Sequence, residues 1–188
     1  MGLFKLFSKI KTQHNPNLDE IKKFFFDYHG SHMWMDRDKP SKYKQYVALD
    51  DSIKSQWRQE LIAKDLKLLK KPSKETWIIV RDLIGLLSYS KKSVELDCEK
   101  LLIQIIKISP ALDKQQKILI LEHLACGGMH LFASYPTLKK LVLTAIHAVS
   151  NFTIDISDNS LKYGWENMQQ RYDNTQTAVQ QAFKDSFK

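Results

Sequence analysis

Apolar residues recur at helical spacing along most of the chain. From Asp50 to about Lys71, Ile53, Trp57, Leu61, Ile62, Leu66 and Leu69 return every three or four positions, which predicts one long helix. Residues 74–109 and 114–149 then read as the same helical hairpin written twice, about forty positions apart. Ile78-Ile79-Val80 maps onto Ile118-Leu119-Ile120, and Ile84 maps onto Leu124. Lys100-Leu101-Leu102-Ile103 maps onto Lys140-Leu141-Val142-Leu143, and Ile106 onto Ile146. The same offset carries Leu61-Ile62 onto Leu101-Leu102, so the helix before the first hairpin reads as half of an earlier, degenerate one.

The boundaries carry their own signals. Ser73 is expected to cap the first hairpin, and Asp113 with Gln116 to cap the second, its first helix ending at Gly127-Gly128. Upstream, a helix is expected from Asn17, with Leu18, Ile21, Phe25 and Tyr28 on its inner face. Residues 28–38 show no clean period and read as a loop. Leu3, Phe4, Leu6, Phe7 and Ile10 form a short stripe interrupted by lysines. It reads as a terminal helix docked on its own domain, with weak contact to a membrane surface as the alternative. Residues 152–157 alternate apolar and polar and read as an extended linker. A final helix from about Ser160 to Phe187 places Leu161, Trp165, Met168, Tyr172, Thr175, Val179 and Ala182 on one heptad-like seam. That seam suits a helix capping the open end of the stack, and alternatively a dimer contact.

The expected fold is therefore all-α: stacked antiparallel hairpins with a period near forty residues, an N-terminal helical segment and a long C-terminal cap. At 188 residues and 43% hydrophobic, one domain is expected over 1–188, divided at about residues 50 and 150. No apolar run is long enough to cross a bilayer. Two cysteines, Cys98 and Cys126, make no disulfide framework and fit small core residues in a reducing interior, hence the cytoplasm. Cys126 aligns with Leu86 and His123 with Leu83, which marks both as core or boundary positions.

Charge widens the field of partners. The net charge is +8, and residues 1–75 hold 16 Lys and Arg against 10 Asp and Glu. A basic surface suits nucleic acid, an anionic membrane or an acidic protein. Lys64, Lys67, Lys71, Lys100 and Lys140 are the candidate nucleic-acid contacts, and a continuous surface through all five would favour that partner. Against it, the chain has 25 lysines and only four arginines, while phosphate and base recognition leans on the guanidinium fork.

Candidate chemistry is thin. His29, His32 and Asp36 are metal-ligand residue types at close range, but an H-x-x-H spacing in a loop is a weak metal signal. No phosphate-binding loop, nucleophile elbow or HExxH motif occurs, and no cofactor is implied. Trp34, Arg37, Tyr43 and Tyr46 are the candidate partner contacts, because Trp, Tyr and Arg dominate protein interfaces.

Over roughly residues 52–150 the hairpin pattern resembles HEAT or armadillo-like helical repeats. That resemblance implies a curved stack whose concave face binds an extended partner, and so a non-enzymatic protein-interaction module of the adaptor or inhibitor kind. The alternative is nucleic-acid binding on an architecture related to HEAT-like DNA glycosylases. Base excision would need an Asp, an Arg and aromatic residues converging in one concavity, with Asp82 and Arg81 as the conceivable pair.

Overall fold

The computed structural model describes residues 16–90, 93–151 and 168–187, with side chains in the last stretch from residue 173 onward. The terminal stripe at residues 3–10 and the linker at 152–157 lie outside the described residues. Every described element is helical. They run α1 (Pro16–Asp27), α2 (His32–Asp38), α3 (Pro40–Val47), α4 (Asp51–Leu68), α5 (Thr76–Ser88), α6 (Glu95–Ile108), α7 (Lys114–His123), α8 (Met129–Ala133), α9 (Lys139–Ser150) and α10 (Met168–Ser186). Proline punctuates them: Pro16 and Pro40 open helices, and Pro110 and Pro136 sit in short 3-10 turns.

The helices of the repeat region bury the stripes their sequences spell. Val80, Leu83, Ile84 and Leu87 point inward from α5; Cys98, Leu101, Leu102 and Ile105 from α6; Val142, Ala145, Ile146 and Val149 from α9. Helix α5 lies against α7, α6 lies against α9, and α4 packs on both α5 and α6. Three hydrogen bonds fix the relative register. The Gln116 side-chain amide donates to the Ser73 carbonyl, the Val94 backbone N–H donates to the Tyr135 hydroxyl at 3.1 Å, and the Thr137 hydroxyl donates to Glu95. The starts of α5 and α7 are thereby tied together, and so are the starts of α6 and α9. One core runs without a break from Ile21 to Phe187.

Several boundaries differ from expectation. Asp113 and Gln116 do form the capping box, with Asp113 Oδ1 accepting from the Gln116 N–H at 2.8 Å. Ser73 instead shapes the turn ahead of α5, its hydroxyl accepting from the Glu75 N–H at 3.2 Å. Gly127-Gly128 do not end α7. They continue it through a π-helical turn, Leu124–Gly128, into α8. A Cβ on Gly127 would come within 3.3 Å of Ile84, and one on Gly128 within 3.0 Å of Phe132. Gly127 thus lets the π turn approach α5 closely, whereas the crowding at Gly128 comes from Phe132 one turn on in the same helix. Residues 32–38 are helix rather than loop, and their period was hidden because only Met35 is buried. Cys126, expected in the core, is exposed. Of the C-terminal seam, Thr175 and Val179 are buried and Ala182 is half-buried, on a helix that packs over α7, the π turn and α8. Its Leu161 and Trp165 lie outside the described residues.

Candidate functional site

A cavity of about 330 Å³ opens between residues 29–34 and one face of α5. Its construction starts at the end of α1. The Gly30 N–H donates back to the Phe25 carbonyl at 2.9 Å, and His29 and Gly30 both take left-handed backbone conformations, with φ of 47° and 67°. Such a turn is the ordinary way to stop a helix, but a non-glycine residue pays for it in strain. Gly30 has no alternative: a Cβ there would sit 2.5 Å from Leu86 Cδ2. The close approach presses the turn onto α5 and swings the His29 ring inward.

His29 Nδ1 then lies 3.6 Å from Asp65 Oδ2 on α4 and 3.9 Å from Asp82 Oδ2 on α5. Asp65 is 0% exposed, and neither carboxylate oxygen has a hydrogen-bond partner. A buried carboxylate without hydrogen bonds is costly, and the basic group beside it is the His29 ring. Contact with Asp65 accordingly holds the His29 pKa above the usual imidazole range, against the opposing effect of burial. Burial pushes the Asp82 carboxyl up, although Arg81 grips Asp82 Oδ1 at 2.8 Å and pulls the other way. Strain, perturbed titration and a cavity thus coincide, a combination that marks functional sites.

The rim has a different character. Met33 is 66% exposed and Tyr89 67% exposed, and both line the opening. Trp34 is half-buried beside them, and the Arg37 guanidinium lies 4.0 Å above its ring. His32 completes the lining. Its Nδ1 is 3.1 Å from the Tyr43 hydroxyl, and its pKa is lowered by burial and then by Arg58 and Lys54, so it is neutral near pH 7. On the floor, a Cβ at Gly85 would meet nothing within 4 Å, so the middle of α5 opens directly onto the cavity.

The candidate contacts divide. Trp34 and Arg37 sit together at the rim. Tyr43 is half-buried behind His32. Tyr46 is not a surface contact: it is 0% exposed and stacks on Phe25 at 5.1 Å, because α3 turns that face onto α1. His29, His32 and Asp36 do not converge either. His29 faces two carboxylates, His32 faces Tyr43, and Asp36 points to solvent; among the described residues no three His, Cys, Asp or Glu side chains are arranged so as to hold a metal ion. Of the five lysines, Lys67 and Lys100 line one groove between α4 and α6. Lys64 instead holds its ammonium 5.6 Å over the Phe26 ring, while Lys71 and Lys140 are exposed elsewhere.

Asp65 and the His29 turn escaped the sequence reading. A signal for Asp65 was present: Trp57, Leu61, Asp65 and Leu69 follow four-residue spacing, which puts a carboxylate in the middle of an apolar stripe. Compared with known protein families, curated proteins and solved structures, the chain matches none.

Proposed function

We propose that this chain is a non-enzymatic protein-interaction module of stacked helical hairpins, and that its partner docks on the rim of the cavity between α2 and α5. The observation that carries the proposal is the rim itself. Two large apolar side chains, Met33 and Tyr89, are two-thirds exposed around a concavity, next to a tryptophan already covered by an arginine. Exposed Met, Tyr and Arg beside a half-buried Trp around a pocket is the composition of an interface centre, where one partner side chain fills the cavity and the rim excludes water. The repeat reading is supported by like helices lying side by side, and by inter-hairpin bonds joining residues 43, 41 and 42 positions apart. Residence in the cytoplasm belongs to the same proposal, since Cys98 and the exposed Cys126 are both free. No cofactor is needed.

The nucleic-acid reading ranks second for a specific reason. Arg81, Asp82, Trp34 and Tyr89 do line one cavity, as base excision would require. However, Arg81 is engaged by Asp82, burial favours the protonated carboxyl, and the groove lysines line a different concavity.

The test is photo-crosslinking in the native cell, with benzophenone side chains placed at Met33, Tyr89 and Leu96. Leu96 is the control, exposed at 62% but on α6. The same discrete protein adduct from positions 33 and 89, and none from 96, is the expected result. No adduct at the rim, or an equal one at Leu96, would overturn the proposal.

A further inference from the structure

We propose that the groove between α4 and α6 is a second docking surface, and that its occupant is an acidic amphipathic peptide segment lying along the groove. The groove encloses about 510 Å³ and is distinct in its lining from the α2–α5 cavity. Its two walls are cationic: Lys67 stands on α4 and Lys70 in the turn just after it, Lys100 and Lys107 on α6, and all four are exposed. The one carboxylate in the lining is Asp97, which Lys100 already holds at 2.9 Å. Between the walls, Ile62, Leu66 and Ile103 supply an aliphatic floor. The end nearest the α4 C-terminus is fixed, because the Gln104 side-chain amide donates to the Leu69 carbonyl at 3.1 Å.

Helix dipoles explain part of this charge, since Lys67 and Lys107 fall in last turns where cations are favoured. They do not explain why lysines from two helices face one another across an open aliphatic strip. Like charges held across a groove repel, and an anion between them relieves the repulsion.

The floor decides which anion. A nucleic-acid backbone is polar throughout and gains nothing from Ile62, Leu66 and Ile103. Single-strand binding calls for aromatic platforms beneath the bases and arginines along the phosphates, and this lining has neither. A peptide helix with a leucine stripe between two acidic edges matches both features: its apolar face covers the floor and its carboxylates meet the walls. The lining on α4 extends from Gln59 to Lys67, roughly 12 Å at the helical rise, which fits about two turns of a bound helix.

The experiment uses the full chain and a designed fluorescent probe, a helical peptide of about fourteen residues with Leu at i, i+3, i+4 and i+7 and Glu on both flanks. Binding is followed by fluorescence anisotropy at two salt concentrations, beside a peptide with Lys in place of Glu, one with Ser in place of Leu, and a short DNA duplex. The wild type is expected to bind the acidic peptide alone. K67E combined with K107E should weaken that binding about tenfold and create binding to the lysine peptide, since exchanging both partners' charges restores the attraction. Ala63→Trp, which fills the groove without altering charge, should weaken the acidic peptide as well. Thermal melting and binding at the α2–α5 rim monitor folding and the first surface separately. The proposal is overturned if the acidic peptide does not bind, if the serine peptide binds equally well, if the charge exchange does not restore binding, or if the duplex binds more tightly and is lost with the same lysines.

Discussion

Two glycines on opposite sides of the cavity respond to alanine in opposite directions. Gly85 lies inside α5, and a Cβ there meets no atom within 4 Å. Its substitution therefore carries the helix-propensity gain with no steric cost, about 0.8–1 kcal/mol of stabilisation. For a chain of this length that corresponds to a rise of roughly 2–4 °C in melting temperature. Gly30 is held at φ 67° with Leu86 Cδ2 2.5 Å from where a Cβ would be and the Phe25 ring at 3.0 Å. Alanine there costs about 1–2 kcal/mol for the left-handed backbone and about 1–3 kcal/mol for the displaced neighbours. Urea unfolding followed by circular dichroism at 222 nm measures both variants against the wild type. If Gly85→Ala proved neutral or destabilising, α5 would not face an open cavity. If Gly30→Ala proved neutral, the turn would not be pressed onto α5, and His29 would have no reason to meet Asp65. Glycine at position 85 gives up helix stability for room in the cavity, which is the pattern expected of a functional concavity.

Other residues test separate parts of the structure. Tyr46→Ala should destabilise by roughly 3–5 kcal/mol in the same unfolding assay, as a buried aromatic does; a change below about 0.5 kcal/mol would return Tyr46 to the surface. His29→Asn keeps a residue that tolerates the left-handed turn but removes the imidazolium. The folded-state pKa of His29 is raised, so its contribution is fully present below about pH 6.5 and is lost as pH rises through the folded value. The stability advantage of wild type over His29→Asn should thus shrink from pH 6 toward pH 9, and an advantage growing with pH would contradict the His29–Asp65 contact. Burial pushes the Cys98 thiol up to about 12 while Cys126 is exposed, so Ellman's reagent should titrate one thiol in the native protein and the second only on unfolding. Two fast thiols would mean that α6 is not packed as described.

Much of the helical framework was legible because apolar spacing dictates it. The stripes of α4, α5, α6 and α9 and the Asp113–Gln116 capping box all follow from local pattern. What local pattern does not contain is the identity of the neighbour. Tyr46 looked like an interface residue by type, and only the face of α1 carrying Phe25 makes it core. Gly127-Gly128 looked like a terminus, whereas the helix continues through them and the small size of Gly127 serves the close approach to Ile84 on α5. A seven-residue helix burying Met35 alone leaves no period to detect, which hid α2 and with it the cavity. Asp65 was visible as a flaw in a stripe, yet its partner His29 lies thirty-six positions upstream, and a left-handed turn brings the two together.

The most direct test of the docking rim is quantitative affinity capture from native extract. Wild type, Trp34→Ala/Tyr89→Ala, and K67E/K107E would be compared side by side, with and without nuclease. The expected result is a stoichiometric protein partner that survives nuclease, stays with the lysine variant and is lost from the rim variant, while melting temperatures stay within a few degrees. A partner retained by the rim variant, or one released by nuclease, would contradict it.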